Sequence, residues 1–173
     1  MNQEKYVTLM DADRIHRSLN RMAHEMAEKN TDDRPLLLVG IDERGFAVAR
    51  SLSNMLKPLF EHSVEVIQLD SENEKLAGSL ETNADKNLEN YFIITVDDVI
   101  FSGQTMFGAL KKIVGALNPS EIHTAVLIDR GHRRFPIQAE FCGMELPTKL
   151  DEHVSVVVEG EAISEVKLLS AGR

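Results

Sequence analysis

The sequence predicts an α/β fold, an open and mostly parallel twisted sheet flanked by helices. A small C-terminal appendage, or hood, is expected to cover one end of the sheet. Over residues 11–128, short apolar runs alternate with segments of helical periodicity, which is typical of a parallel sheet covered on both faces. The 173 residues are 43% hydrophobic and 27% charged. These values suit one soluble domain, residues 1–173, with its own core.

The first predicted helix covers residues 11–30. Its apolar side chains recur at spacings of four, three and four: Ile15, Leu19, Met22 and Met26. This places them on one face of a helix with 3.6 residues per turn. Asp11 or Asp13 can cap its start, and Asn30 suits its end.

Three elements follow the first helix. Residues 35–40 (PLLLVG) are continuously apolar, as in a strand buried on both faces. Residues 42–45 (DERG) are predicted as a loop, and residues 46–60 as a helix that Pro58 stops. Residues 64–69 (VEVIQL) alternate between apolar and polar, which indicates a strand.

The second half repeats the alternation. Residues 91–96 predict a central strand, residues 103–118 a helix and residues 121–128 another strand. Beyond them we expect a polar loop, a short extended piece and a last strand over residues 154–158, which together form the appendage. Residues 70–90 are polar and acidic without periodicity, and a loop this long in a compact domain is usually functional or disordered.

The composition restricts the classes of function. A net charge of −9 and a pI of about 5.1 argue against a surface that binds nucleic acid all over, although a local basic patch remains open. Cys142 is the single cysteine, so it is expected to be an apolar filler in a reducing cytoplasm. The first residues lack a signal-peptide pattern, and no apolar run reaches the ~20 residues of a membrane span.

The stretch IITVDDVIFSGQT, residues 93–105, carries the clearest chemistry. Asp97 and Asp98 end an apolar run, and ligands of open α/β sheets bind beyond the carboxyl ends of strands. The loop that follows leads into a helix, so its backbone N–H groups form a phosphate site. Gly103 permits close approach, while Ser102 and Thr105 add hydroxyl donors. The two carboxylates suit sugar hydroxyls or magnesium, so the stretch predicts a sugar-phosphate site.

Other classes also place acidic residues at strand ends. A phospho-accepting receiver domain carries its acidic pair near the first strand, whereas here the pair follows a later strand. A P-loop nucleotide hydrolase requires a G-x-x-x-x-G-K-[ST] motif, which the sequence lacks. A solvated acidic turn that caps a helix remains the purely structural alternative.

Residues 93–105 resemble the phosphoribosyl pyrophosphate (PRPP) motif of type I phosphoribosyltransferases. Residues 39–45 (VGIDERG) resemble the pyrophosphate loop of that family. The first helix and residues 125–148 (AVLIDRGHRRFPIQAEFCGMELPT) resemble one subfamily, the bifunctional pyrimidine operon attenuators that are also uracil phosphoribosyltransferases.

The resemblance implies a role for each matching residue. Asp97 and Asp98 would bind the ribose hydroxyls, and Arg44 would add positive charge near the pyrophosphate. The remaining substrate-binding residues would be those of the pyrophosphate loop, the 5′-phosphate loop and the nucleobase side: Ile41, Asp42, Glu43, Gly45, Phe101, Ser102, Gly103, Gln104, Thr105, Asp129, Arg130, Gly131 and His132. Mg²⁺ would be held mainly through PRPP, and the protein would form a homodimer or a larger homo-oligomer.

The subfamily also binds RNA, so the resemblance implies that basic residues of this chain form an RNA-binding surface. The candidates are two groups: Arg17, Arg21 and His24 on the first helix, and Arg133, Arg134 and Lys149 near the C-terminus. If the two groups meet in the fold, they form a basic patch with salt-sensitive affinity for RNA. The alternative is a solvated helix face with i, i+4 pairs such as Arg21–Glu25.

Residues 70–90 depart from the family, because the arginine and tyrosine of its catalytic loop are missing and only Lys75 and Lys86 are cationic. Losing a cation that meets transition-state charge can cost ~2.7–4 kcal/mol. Two functions therefore stay open. The protein is either an enzyme that transfers ribose 5-phosphate from PRPP to a pyrimidine, uracil giving UMP, or a catalytically weak sensor of PRPP or nucleotide that regulates pyrimidine genes through RNA. A purine specificity is a third possibility.

Overall fold

The computed structural model describes residues 5–72 and 88–170. Its elements in chain order are β1 (Lys5–Met10), α1 (Ala12–Lys29), β2 (Leu36–Ile41), α2 (Asp42–Leu56), β3 (Val64–Leu69), β4 (Phe92–Ile100), α3 (Gln104–Leu117), β5 (His123–Asp129), β6 (Phe141–Glu145), β7 (Glu152–Glu159) and β8 (Ala162–Ser170). The described residues also include two short 3-10 helices, Lys57–Leu59 and Leu88–Asn90. No helix in these two ranges has the length and apolar character needed to cross a bilayer.

Five strands form the predicted parallel sheet in the order β3-β2-β4-β5-β6. Helices α1 and α2 cover one face of the sheet and α3 covers the other. Successive residues of β2 point to opposite faces, so they pack against different helices. Leu36 and Leu38 join the cluster with α1 and α2, whereas Leu37 and Val39 join the cluster with α3. The α/β prediction is therefore confirmed.

The caps predicted for the first helix are present. The Asp11 carboxylate accepts a hydrogen bond from the Arg14 N–H at 2.8 Å, and Asn30 follows the last turn. The second predicted helix ends at Leu56, and Pro58 lies in the short 3-10 turn that follows.

Three local predictions were wrong. Residues 42–45 are the first turn of α2 and not a loop. Strand β4 continues to Ile100, because it keeps pairing with β5 after the apolar run ends, so Asp97 and Asp98 lie inside the strand. The short extended piece expected in the appendage is β6, which instead pairs with β5 as the fifth strand of the parallel sheet. Strands β1 and β8 were not predicted, since neither has a continuous apolar run.

Strand β8 pairs with β1 on one side and with β7 on the other, in an antiparallel sheet of order β1-β8-β7. The appendage therefore includes β1 as well as the C-terminal strands, with Lys5 opposite Ser170. Its buried residues Val154, Val156 and Val166 belong to the same cluster as α1 and α2, which fixes the small sheet on the core. Of the irregular stretch over residues 70–90, residues 73–87 lie outside the described residues.

Candidate functional site

The acidic pair lies in a cleft of about 300 Å³ at the carboxyl edge of the parallel sheet. The cleft is lined by residues 41–44, at the β2–α2 junction, and by Asp97 and Asp98 of β4. A larger cavity of about 590 Å³ lies between α2 and the antiparallel sheet and shares Glu43 and Arg44 with the cleft. The sequence-predicted pyrophosphate loop and ribose-binding pair thus meet in one place.

Two glycines allow the β2–α2 junction to pack closely at this edge. A Cβ on Gly40 would lie 2.4 Å from the Phe46 Cα. A Cβ on Gly45 would lie 2.7 Å from the Val96 carbonyl oxygen and 3.3 Å from Oδ1 of Asp97. Only glycine fits such approaches without a backbone shift. These two glycines therefore allow the junction to pack directly against β4, the strand of the acidic pair.

Asp42 is held in an uncommon conformation at this junction. Its φ of 53° is in the left-handed region, which few non-glycine residues adopt. Both carboxylate oxygens are engaged by Ser71, which donates its N–H at 2.8 Å and its hydroxyl at 2.6 Å. Lys112 of α3 also donates to the Ser71 carbonyl at 3.0 Å. Asp42 thereby joins the β2–α2 junction to the end of β3.

Asp97 is a buried carboxyl group in acidic surroundings, with 8% of its surface exposed. Burial raises its pKa well above the ordinary value, and the charge of Asp98 and a side-chain hydrogen bond with Asp98 raise it further. The charge of Asp42 adds to the same shift. The Asp98 N–H donates to Asp97 Oδ1 at 2.8 Å, which opposes the shift. The pair can therefore retain a proton and both donate and accept hydrogen bonds.

The predicted phosphate loop lies at the N-terminus of α3. Gly103 precedes the helix with φ of 83°, a conformation that favours glycine. The Ser102 hydroxyl accepts the Gln104 N–H at 3.2 Å, and Gln104 and Thr105 are exposed. First-turn N–H groups have no partner within a helix, so this end can receive an anion.

Arg133 braces this loop from the segment after β5. Its guanidinium donates to the carbonyls of Phe101 and Ile137 at 2.9 and 2.8 Å, and to the Asp129 carboxylate at 2.6 Å. Its aliphatic stem contacts the space where a Cβ of Gly103 would project. The loop geometry therefore depends on a side chain thirty residues away.

The other residues predicted near the nucleobase are also bound within the fold. Arg130 is buried, donates to the Thr148 hydroxyl at 2.9 Å and stacks over the Phe101 ring at 4.4 Å. The His132 ring contacts the Thr148 carbonyl, and its φ is 60°. Asp129 Oδ1 accepts the Gly131 N–H at 2.9 Å. This group therefore ties the phosphate loop to the chain that leads into β7.

The basic residues predicted to bind RNA divide into two kinds. Arg21 pairs with Glu25 at 2.7 Å and also donates to the Cys142 and Gly143 carbonyls of β6, and Arg133 is the brace described above. Arg21 nevertheless remains half exposed. The other four are exposed: Arg17, His24, Arg134 and Lys149. Helix α1 packs beside β6, the strand that leads on to Lys149.

Ser71 and Lys112 were missed by the sequence analysis. Ser71 follows β3, the neighbour of β2 in the sheet, so the rule that ligands bind beyond strand ends could have identified it. Lys112 lies two turns into α3 and has no such local signal.

Sequence comparisons agree with this geometry. Residues 8–161 match the phosphoribosyl transferase domain family. The bifunctional protein PyrR of Ligilactobacillus salivarius is 37% identical over 161 residues, which span 87% of this chain and 90% of the relative. That of Chloroflexus aurantiacus is 37% identical over 178 residues, spanning 98% of this chain and 97% of the relative.

Solved structures show the same fold. An HGPRT-ase from Leishmania tarentolae in complex with GMP has a TM-score of 0.75 at 17% identity, covering 96% of this chain and 98% of its own. The hypoxanthine phosphoribosyltransferase of Trypanosoma cruzi has a TM-score of 0.71 at 16% identity, with coverage of 91% and 94%. Given the family match, the close relatives and the cleft geometry, this chain belongs to the phosphoribosyl transferase domain family and, within it, to the bifunctional PyrR proteins.

Proposed function

We propose that this phosphoribosyltransferase binds PRPP and transfers its ribose 5-phosphate to a pyrimidine base, uracil giving UMP. The observation that carries the proposal is the position of the acidic pair, Asp97 and Asp98, at one sheet edge between the β2–α2 junction and the N-terminus of α3. The pair binds the ribose 2′- and 3′-hydroxyls. The residues that start α3 bind the 5′-phosphate, and the β2–α2 junction faces the pyrophosphate.

In the reaction, the bond between C1 of the ribose and the pyrophosphate oxygen breaks, and a bond from C1 to uracil nitrogen forms as that nitrogen loses its proton. Positive charge develops on the ribose ring, and the protein acts by positioning and electrostatics. Asp97 and Asp98 hold the ring through its hydroxyls. Arg44, exposed at the β2–α2 junction, faces the departing negative charge.

Mg²⁺ fits this site as a partner of PRPP. It is commonly bound through one or two carboxylates together with substrate phosphates. Asp97 and Asp98 are the carboxylates that would contact such an ion beside the ribose hydroxyls. When bound, Mg²⁺ supplies positive charge that stabilises the leaving pyrophosphate.

The test replaces both carboxylates, as Asp97→Asn with Asp98→Asn, and measures UMP and ribose 5-phosphate binding by calorimetry. Binding should fall at least ~100-fold while the circular dichroism spectrum stays folded. The matched control is Asp32→Asn with Asp33→Asn, an adjacent acidic pair before β2 at the opposite edge of the sheet. Unchanged affinity in the first variant would refute the assignment of the ribose site.

A second function is favoured by the exposed basic residues Arg17 and His24 on α1 and Lys149 beyond β6. We propose that the protein also regulates pyrimidine genes by binding RNA when a nucleotide occupies the cleft. Fluorescence anisotropy with a hairpin from a pyrimidine operon leader should show affinity that falls with salt and falls again in Arg17→Ala. A scrambled hairpin and Lys57→Ala, a change on an exposed 3-10 turn, are the controls. Equal affinity for both hairpins would contradict this function. The proposed ligands and the single cysteine fit a reducing cytoplasm.

A further inference from the structure

The cleft that faces the pyrophosphate is acidic in this chain. Of the six lining residues, four carry carboxyl groups and one is basic: Ile41, Asp42, Glu43, Arg44, Asp97 and Asp98. Asp97 and Asp98 have a use in holding ribose hydroxyls. Asp42 and Glu43 lie on the turn itself, where a leaving group with several negative charges must dock.

Asp42 is the acidic residue whose position is fixed. Ser71 donates to both of its oxygens, at 2.8 and 2.6 Å, so the carboxylate cannot change its position without breaking two hydrogen bonds. Its charge also reaches Asp97, since it contributes to the raised pKa of that group. Glu43, in contrast, is exposed to solvent.

The nearby cations of the described residues do not offset this charge at close range. Arg44 and Glu43 are both exposed neighbours of opposite charge, so the positive charge of Arg44 is offset by Glu43 and leaves that of Asp42. Lys112 directs its ammonium to the backbone carbonyls of Asp70 and Ser71, at 3.4 and 3.0 Å. The charge of Asp42 therefore acts on whatever occupies the leaving-group side of the cleft.

We propose that Asp42 is a specificity-determining residue, which disfavours PRPP and selects ribose 5-phosphate ligands whose substituent on C1 is uncharged, that is, nucleoside monophosphates. The inference rests on the proposed function, because it takes the ribose and phosphate positions from it. Both ligand classes make the same contacts with the acidic pair and the α3 N-terminus. They differ in whether a pyrophosphate meets Asp42.

Like charges a few ångströms apart in a partly hydrated cleft repel strongly enough to change affinity by about 10- to 100-fold. Asp42→Asn removes that charge with little change in shape. Asparagine adopts positive φ more readily than most residues and can still accept the Ser71 N–H. The variant is therefore expected to fold, and Glu43→Gln removes the same formal charge from an exposed neighbour.

The experiment is calorimetric titration of the full chain with UMP, PRPP and pyrophosphate, each with Mg²⁺ at one fixed concentration. We expect the unsubstituted protein to bind UMP more tightly than PRPP. Asp42→Asn should strengthen PRPP and pyrophosphate binding about 10- to 100-fold and change UMP binding less than about threefold. Glu43→Gln should strengthen PRPP binding by a clearly smaller factor.

Three results would overturn the inference while leaving the proposed function intact. The unsubstituted protein binds PRPP as tightly as UMP, Asp42→Asn weakens PRPP binding, or Glu43→Gln acts as strongly as Asp42→Asn. Absence of UMP binding together with absence of PRPP binding in every variant would instead reject the proposed function and the inference with it.

Discussion

Replacing Arg133 with alanine separates two roles for this side chain, a brace within the fold and a cation for RNA. Its guanidinium makes hydrogen bonds with the carbonyls of Phe101, Gly131 and Ile137 and an ion pair with Asp129. Only 22% of its side chain is exposed. Alanine removes every one of these bonds and leaves the acceptors partly buried.

The magnitude follows from these contacts. A hydrogen bond to a charged group contributes about 1.5–3 kcal/mol, and neighbouring bonds of one side chain do not add fully. We expect Arg133→Ala to lower the free energy of unfolding by about 2–4 kcal/mol. For a chain of this size, that corresponds to a decrease in Tm of roughly 4–16 °C.

Urea denaturation followed by circular dichroism measures this change, and Arg134→Ala is the matched control. The Arg134 side chain is exposed, so its loss should change stability by less than about 0.5 kcal/mol. Ribose 5-phosphate binding should weaken in Arg133→Ala alone, because the Phe101 carbonyl loses its partner. If Arg133→Ala unfolds like the unsubstituted protein and loses only RNA affinity, the bracing role is refuted.

Three further predictions concern buried groups. The pKa of Asp97 is raised in the folded state, so the free energy of unfolding should fall as pH rises from about 4, its unfolded pKa, through the raised native value. Urea unfolding across pH 4–8 should show a smaller fall in Asp97→Asn. Equal pH slopes in the two proteins would argue against a protonated carboxyl. Gly45→Ala should lower the free energy of unfolding by about 1–3 kcal/mol through overpacking at the β4 backbone. Gly115, exposed on α3 with open space around it, is the control, and Gly115→Ala should raise the free energy of unfolding by about 0.5–1 kcal/mol. A stable Gly45→Ala protein would show that the junction can shift. Burial and neighbouring carboxylates raise the pKa of the Cys142 thiol to about 11. Iodoacetamide at pH 8 should therefore alkylate the folded protein about 100-fold more slowly than the unfolded chain. Rapid labelling of the folded protein would indicate an accessible thiol.

The sequence by itself determined the features that depend on neighbours along the chain. Apolar periodicity located α1, and Asp11 and Asn30 marked its ends. The Asp-Asp pair followed by Ser-Gly-Gln-Thr predicted a sugar-phosphate site, because a strand end and a helix start are both local signals. Parallel strand ends meet at one edge, so the same pattern brought the two predicted turns together.

Tertiary structure decided what each charged side chain faces. Asp42 meets Ser71 twenty-nine residues later and lies close enough to Asp97 to affect its pKa. The sequence predicts Arg133 as a surface cation for RNA, but its guanidinium donates to the Phe101 carbonyl within the fold. Strand β1 pairs with β8, which lies near the other end of the chain. Such pairings depend on which elements the folded core brings together, and no local spacing of residues specifies them.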